Sequence, residues 1–113
     1  MKEILDKNHP TLRDLQAFHE WLDREKGFDT DMFRNVAFLS GEIGEVVKAI
    51  REIHWAQNED GGQLARAHMG EELADCLAYI LKLANCAGVD LQDAYRCKMK
   101  RNVTRTWPGH PRR

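Results

Sequence analysis

Apolar residues along this chain recur every three or four positions, the spacing of a helix face rather than the alternation of a strand. Leu12, Leu15, Phe18, His19 and Leu22 mark a first helix over about residues 11–26. Pro10 and Thr11 signal its start and Gly27 its end. The stretch "GFDTD" reads as a loop, with Thr30 or Asp31 as the next N-cap. A second helix is expected over about 32–54, with Met32, Val36, Leu39, Ile43, Val47, Ile50 and Ile53 facing the core. "AQNEDGG" breaks the pattern. A third follows over about 63–86, with Leu73, Cys76, Leu77, Ile80, Leu81 and Ala84 inward and Gly88 as a C-cap residue. Asp90, with Asp93 three residues on, resembles a capping box. It opens a fourth helix running to about Arg105, with Leu91, Ala94, Tyr95, Met99 and Val103 on its apolar face. Pro108 and Pro111 leave residues 106–113 as a flexible tail. With no alternating run of useful length, the expected fold is all-α: one domain over residues 1–113 with a four-helix bundle-like protomer.

Two carboxylate pairs interrupt this simple patterning. "SGEIGEVVKAI" places Glu42 and Glu45 three residues apart, and "GEELADCLAYI" repeats the device with Glu72 and Asp75. Measured from Ile43, Glu42 and Glu45 fall about 100° and 160° to one side of the helix axis. Measured from Leu73, Glu72 and Asp75 fall at the same two angles, so both pairs flank their apolar stripes on the same side. Two antiparallel helices can therefore bring four carboxylates to one place. Like charges so gathered raise one another's pKa, and a divalent cation relieves the repulsion. The all-oxygen set suits Mg²⁺, whereas Zn²⁺ fits poorly because no His or Cys stands at matching spacing. The plainer alternative is solvated surface carboxylates, with Glu45 paired to Lys48 three residues on. Gly41 and Gly44 beside the first pair suggest room for a neighbouring helix or a ligand.

Composition changes this picture little. The net charge of −1 lacks the basic excess a polyanion binder needs, so no nucleic-acid partner is expected. No apolar run approaches the roughly 20 residues of a membrane span. Cys76, Cys86 and Cys97 lack metal-ligand spacing, and no secretory signal precedes them. They read as small buried thiols of a reducing cytoplasm. His9, His54, His68 and His110 show no ligand geometry and read as surface or satisfied core residues.

"LSGEIGEVVKAI", "EELADCLAYILKLANCAGVDL" and "KMKRN" together resemble the MazG-like all-α nucleoside triphosphate pyrophosphohydrolases, and among them the dCTP pyrophosphatase branch. The likeness covers roughly residues 35–105. Its signature is E-x-x-E, a separation of 26 residues, E-x-x-D, and then Lys98-x-x-x-Asn102. The resemblance implies Mg²⁺-dependent hydrolysis of a nucleoside triphosphate between its α and β phosphates, with Mn²⁺ as a substitute ion. It implies that Glu42, Glu45, Glu72 and Asp75 hold the metal, with Glu42 or Glu45 orienting the attacking water. Lys98 would stabilise the phosphates and Asn102 would assist it, with Arg105 a weaker phosphate candidate. Gly41 stands where many relatives carry a further glutamate. Tyr79 matches an aromatic of the dCTP-type branch and lies on the wheel between Glu72 and Asp75. Base contacts are expected from Phe18, His19, Trp21, Phe28, Phe33 and Trp55, with His19, Trp21 and Trp55 carried forward. The family's sites are walled by a second protomer, so a homodimer or a dimer-of-dimers tetramer is expected. The role expected from the family is nucleotide-pool housecleaning with a lean to pyrimidine deoxynucleotides.

Three other readings compete. A di-iron carboxylate protein needs Glu-x-x-His pairs, and Glu45 and Asp75 occupy the second positions. A non-catalytic helical oligomerisation or nucleotide-binding module would show loss of a motif carboxylate, and all four are present. A phosphoribosyl-ATP pyrophosphohydrolase would match "KMKRN" and "GVDL" less well.

Overall fold

The computed structural model describes residues 1–106. Four α-helices carry the chain: α1 Leu12–Lys26, α2 Met32–His54, α3 Glu59–Ala87 and α4 Leu91–Thr104. The described residues contain no strand. A short 3-10 turn, Lys2–Asp6, precedes α1 and packs on it; the periodicity gave no sign of it. The expected tail lies outside the described residues, Thr106 excepted.

Local chemistry sets the helix ends. Thr11 and Asp14 form a reciprocal capping box on α1. Asp31 caps α2 by accepting from the Arg34 amide at 2.8 Å, and Asp90 caps α4 through the Asp93 amide at 3.2 Å. Gly27 and Gly88 close α1 and α3 with φ of +64° and +69°, a left-handed conformation that costs a side-chain-bearing residue about 1–2 kcal/mol. The third helix starts four residues before its expected position. The Asn58 side chain accepts from the Gly61 amide at 2.8 Å and caps a helix that runs straight through Gly61 and Gly62.

The core also differs from the expected one. In α2 the sheltered positions are Asn35, Leu39, Glu42, Val46, Ala49 and Ile53, a strict four-three repeat. In α3 the matching set is Gly62, Ala65, Met69, Glu72, Cys76, Tyr79 and Leu83. These two rows form the antiparallel α2–α3 seam, in the manner of a coiled coil. Most of the aliphatic stripe expected inside lies on the open face: Met32, Val36, Ile43, Val47 and Ile50 are each about half exposed, and so is Leu73. Gly41 and Gly44 meet no atom within 4 Å of a Cβ built on them, so no neighbouring helix of this chain occupies the room they leave.

The first helix crosses the C-terminal half of α3, where Leu81 and Ala84 are buried. Gln16 locks the junction. Its amide donates to Val89 O at 2.9 Å and Asn85 Oδ1 at 3.1 Å, and its oxygen accepts from the Leu91 amide at 2.8 Å. Arg13 reaches Asp90 and Asp93 at the start of α4. That helix packs on α1 and buries none of its own residues, so the four helices do not close around one centre. The radius of gyration, 17.0 Å, exceeds the roughly 13 Å of a compact chain of this length. Cys76 is buried in the seam and Cys86 is half-buried, donating to Thr30 O at 3.1 Å. Cys97 is exposed on α4, contrary to the expectation that all three thiols are buried. No described helix is long and apolar enough to cross a membrane.

Candidate active site

The α2–α3 seam carries carboxylates where a plain helical hairpin would carry leucines. Glu42 is a sheltered position of the α2 row and Glu72 of the α3 row, and Asp75 stands one turn beyond Glu72. Glu42, Glu72 and Asp75 each offer an oxygen within 4.8 Å of the others. The Glu42 pKa is raised, first by the hydrogen bond its carboxyl can share with Glu72 through a proton, then by burial and by the charges of Asp75, Glu72 and Glu45. Three carboxylates so close cannot all ionise cheaply, and a cation in place of the shared proton resolves the conflict. Their all-oxygen chemistry fits Mg²⁺ or Mn²⁺.

Glu45 joins a different group. It, His68 and Glu72 also offer ligand atoms within 4.8 Å of one another, so Glu72 belongs to both clusters. His68 lies between two carboxylates, with Nδ1 2.7 Å from Glu52 and Nε2 3.3 Å from Glu72. The Glu52 hydrogen bond is the main reason its imidazole pKa is raised. His68 is thus a satisfied, half-buried residue, as expected, but it also stands at ligand distance from Glu45 and Glu72, which the expected absence of ligand geometry did not allow for. The signal was present, since His68 precedes Glu72 by one helical turn.

A cleft of about 410 Å³ opens beside Glu42 and Asp75, within the usual range for a small-molecule site. The first helix contributes His19, Leu22 and Asp23; the α1–α2 loop adds Phe28 and Asp29; α2 adds Phe38; α3 adds Ala78, Tyr79 and Lys82. Burial lowers the His19 pKa, with Lys82 adding and Asp23 opposing, so the imidazole is neutral at neutral pH. Burial raises the Tyr79 pKa, helped by the charges of Glu42 and Asp75, so the phenol keeps its proton and can donate. The Phe38 and Tyr79 rings lie 5.9 Å apart, forming one apolar wall. Cys76 is next in sequence to Asp75, yet burial raises its thiol pKa and keeps it a protonated core group.

Not every expected site residue converges here. His19 and Tyr79 line the cleft with Glu42 and Asp75. Trp21, about 200° round α1 from His19, faces Phe18 at 6.0 Å and a separate groove beside the 3-10 turn. Trp55 is exposed at the C-terminus of α2, about 20 Å along the axis from Glu42. Lys98, Asn102 and Arg105 belong to α4 and its C-terminus and line no part of this cleft. Asn102 is half-buried, with Oδ1 buried and unpartnered. Sequence reasoning missed Asp23, Lys82 and Glu52. Lys82 follows Asp75 by seven residues and Asp23 follows His19 by four, so each shares a helix face with a residue already singled out.

The MazG nucleotide pyrophosphohydrolase domain family matches residues 32–107. Among curated proteins, dCTP pyrophosphatase 1 of Bos taurus is 36% identical over 112 residues, covering 91% of this chain and 63% of that protein. The proteins of the same name from Mus musculus and Homo sapiens are each 34% identical over 110 residues, covering 89% of this chain and 61% of theirs. The chain thus spans less than two thirds of the length of these relatives.

Proposed function

The chain belongs to the MazG nucleotide pyrophosphohydrolase family, and on that footing we propose that it hydrolyses nucleoside triphosphates between the α and β phosphates. The products are a nucleoside monophosphate and pyrophosphate. The observation that carries this reading is the convergence of Glu42, Glu72 and Asp75, whose oxygens lie within 4.8 Å of one another at the edge of the cleft. The names of the relatives favour pyrimidine deoxynucleotides, with cytosine first. Removal of surplus or modified deoxynucleotides in the cytoplasm is the matching role.

Glu42, Glu72 and Asp75 hold Mg²⁺ in this reading, and Mn²⁺ substitutes. Glu45 completes the set from the next turn of α2, where His68 and Glu72 also stand. The bound ion supplies charge neutralisation of the triphosphate oxygens. Glu42 or Glu45 would orient the attacking water and take its proton. Tyr79 donates to the sugar or phosphate, and His19 lies over the same cleft. Since α1 provides His19 and Asp23, the working unit includes it as well as the matched residues, and we read residues 1–113 as one domain.

The same proposal includes a homodimer or a dimer-of-dimers tetramer. The protomer exposes 8677 Å², about a third more than expected of a monomer of this mass. Its exposed surface includes Met32, Val36, Ile43, Val47 and Ile50 along α2 and Leu73 and Leu77 on α3, more large aliphatic side chains than singly scattered surface residues account for. Lys98, Asn102 and Arg105 act on the phosphates by reaching them from a neighbouring protomer, and Trp21 and Trp55 contact the base only across such an interface.

The test is metal-dependent pyrophosphate release. Wild-type protein releases pyrophosphate with Mg²⁺ and stops when the ion is chelated. Asp75→Asn, a nearly isosteric change, needs far more Mg²⁺ for the same rate. Turnover indifferent to chelation, or an unchanged Mg²⁺ requirement in Asp75→Asn, would refute the assignment.

A further inference from the structure

Inside the cleft a carboxylate and an ammonium meet two turns away from Asp75. Asp23 is only 7% exposed, and its Oδ1 is buried with no hydrogen-bond partner. Lys82 Nζ lies 3.4 Å from that oxygen without a hydrogen bond between them, and the Lys82 side chain is itself 11% exposed. The ammonium stands 5.5 Å from the Phe28 ring centre and 5.3 Å from that of Tyr79. Both charged groups line the cleft.

A pair that served only to clamp α1 to α3 would close its hydrogen bond, because burying charge without one is costly. This pair is desolvated and left without a hydrogen bond, and two aromatic rings stand within reach of the ammonium. That is the arrangement of a polar reader between stacking surfaces. Seven residues separate Asp75 from Lys82 on one face of α3, about 10 Å along the axis. This matches the reach of a nucleoside 5′-phosphate from its phosphorus to the far edge of its base.

Resting on the pyrophosphohydrolase reading above, we infer that Asp23 and Lys82 select a cytosine-type base, a 4-aminopyrimidine, by its hydrogen-bonding edge. The Asp23 carboxylate accepts from the exocyclic amino group, and Lys82 donates to the ring nitrogen or the 2-carbonyl beside it. Uracil and thymine place a carbonyl where cytosine has its amino group. That carbonyl meets a carboxylate with no proton to give, so these bases are rejected by repulsion as well as by a lost bond. Phe28 and Tyr79 supply the faces against which the ring lies.

The test compares kcat/KM for dCTP, dUTP and dATP in the wild type, Asp23→Asn, Lys82→Met and the doubly substituted protein, with thermal melts alongside. The double variant removes both charges at nearly constant volume and keeps the fold measurable. The wild type is expected to prefer dCTP to both other nucleotides. Asp23→Asn supplies an amide donor that suits the uracil carbonyl. It should lower the dCTP:dUTP ratio by about tenfold or more, chiefly through KM. Lys82→Met should raise KM for dCTP and lower the melt, because it leaves the Asp23 carboxylate buried without its counter-charge, whereas the double variant should recover part of that loss. A ratio within about twofold of wild type in both Asp23→Asn and the double variant, whatever the melts show, would reduce the pair to a structural clamp and overturn this inference alone. A wild-type preference for dATP or dUTP over dCTP would also overturn it. Absence of turnover on every deoxynucleotide by the wild type would overturn the underlying reaction as well.

Discussion

Neighbouring residues Ala49 and Ile50 should respond to the same substitution in opposite ways. Ala49 is fully buried in the α2–α3 seam, while Ile50 is 49% exposed on the aliphatic face assigned to a second protomer. Fully burying an isoleucine contributes about 1.5–3 kcal/mol, so covering the exposed half is worth about 1 kcal/mol per protomer. A two-fold interface uses the residue twice, which makes about 2 kcal/mol. Ile50→Asp loses that and also drags two carboxylates into an apolar contact, at several kcal/mol each. A total above about 5 kcal/mol weakens the dimer by more than about three decades in Kd. Sedimentation equilibrium over a wide concentration range, with far-UV circular dichroism, reads both terms. Ile50→Asp is expected to be a helical monomer, and Ala49→Asp to lose its helical signal because the protomer itself fails. Wild-type protein that stays monomeric, or Ile50→Asp that keeps the wild-type mass, would refute the assignment of this face.

Metal-free protein should lose stability as pH rises from the ordinary carboxyl range through the raised Glu42 value, because the folded state holds a proton there that the unfolded chain has released. Thermal melts of wild type and Glu42→Gln against pH isolate this component. Their difference should vary with pH without metal and flatten in saturating Mg²⁺, and a flat difference in both conditions would count against the shared proton. Gln16→Leu strands the Leu91 amide and removes the donor to Val89 O and Asn85 Oδ1. It should cost about 3 kcal/mol and lower Tm by about 15 °C. A calorimetric Tm within a few degrees of wild type would mean that the junction of α1, α3 and α4 is held by something other than this side chain.

The helices were legible because their ends are written in local chemistry: Thr11, Asp31 and Asp90 at the starts, Gly27 and Gly88 at the stops. The start of α3 was misplaced because Gly61–Gly62 reads as a breaker. Gly62 is instead a buried position of the seam, and Asn58 caps the helix ahead of it. The core was misread for a more instructive reason. The most hydrophobic stripe of α2 lies on the open face, while the row that packs on α3 contains Asn35, Glu42 and Ala49. A search for the most apolar face therefore finds the open face of the protomer, the one proposed above to meet a second copy. The carboxylate pairs stood out because their spacing and angular placement repeat between two helices. Asp23 and Lys82 did not, because their meeting depends on where α1 crosses α3. That crossing is fixed by Gln16, Asn85 and the turn after α3, and no periodicity within one helix reveals it.

The most direct measurement is product identification after incubation with Mg²⁺ and a panel of canonical and modified deoxynucleoside triphosphates. Monophosphate and pyrophosphate in equal amounts, lost in folded Glu42→Gln and Asp75→Asn proteins, is the expected result, with the panel ranking the bases. Diphosphate with inorganic phosphate would place the cleavage at the wrong anhydride, and undiminished turnover in both variants would remove the carboxylate cluster from the chemistry.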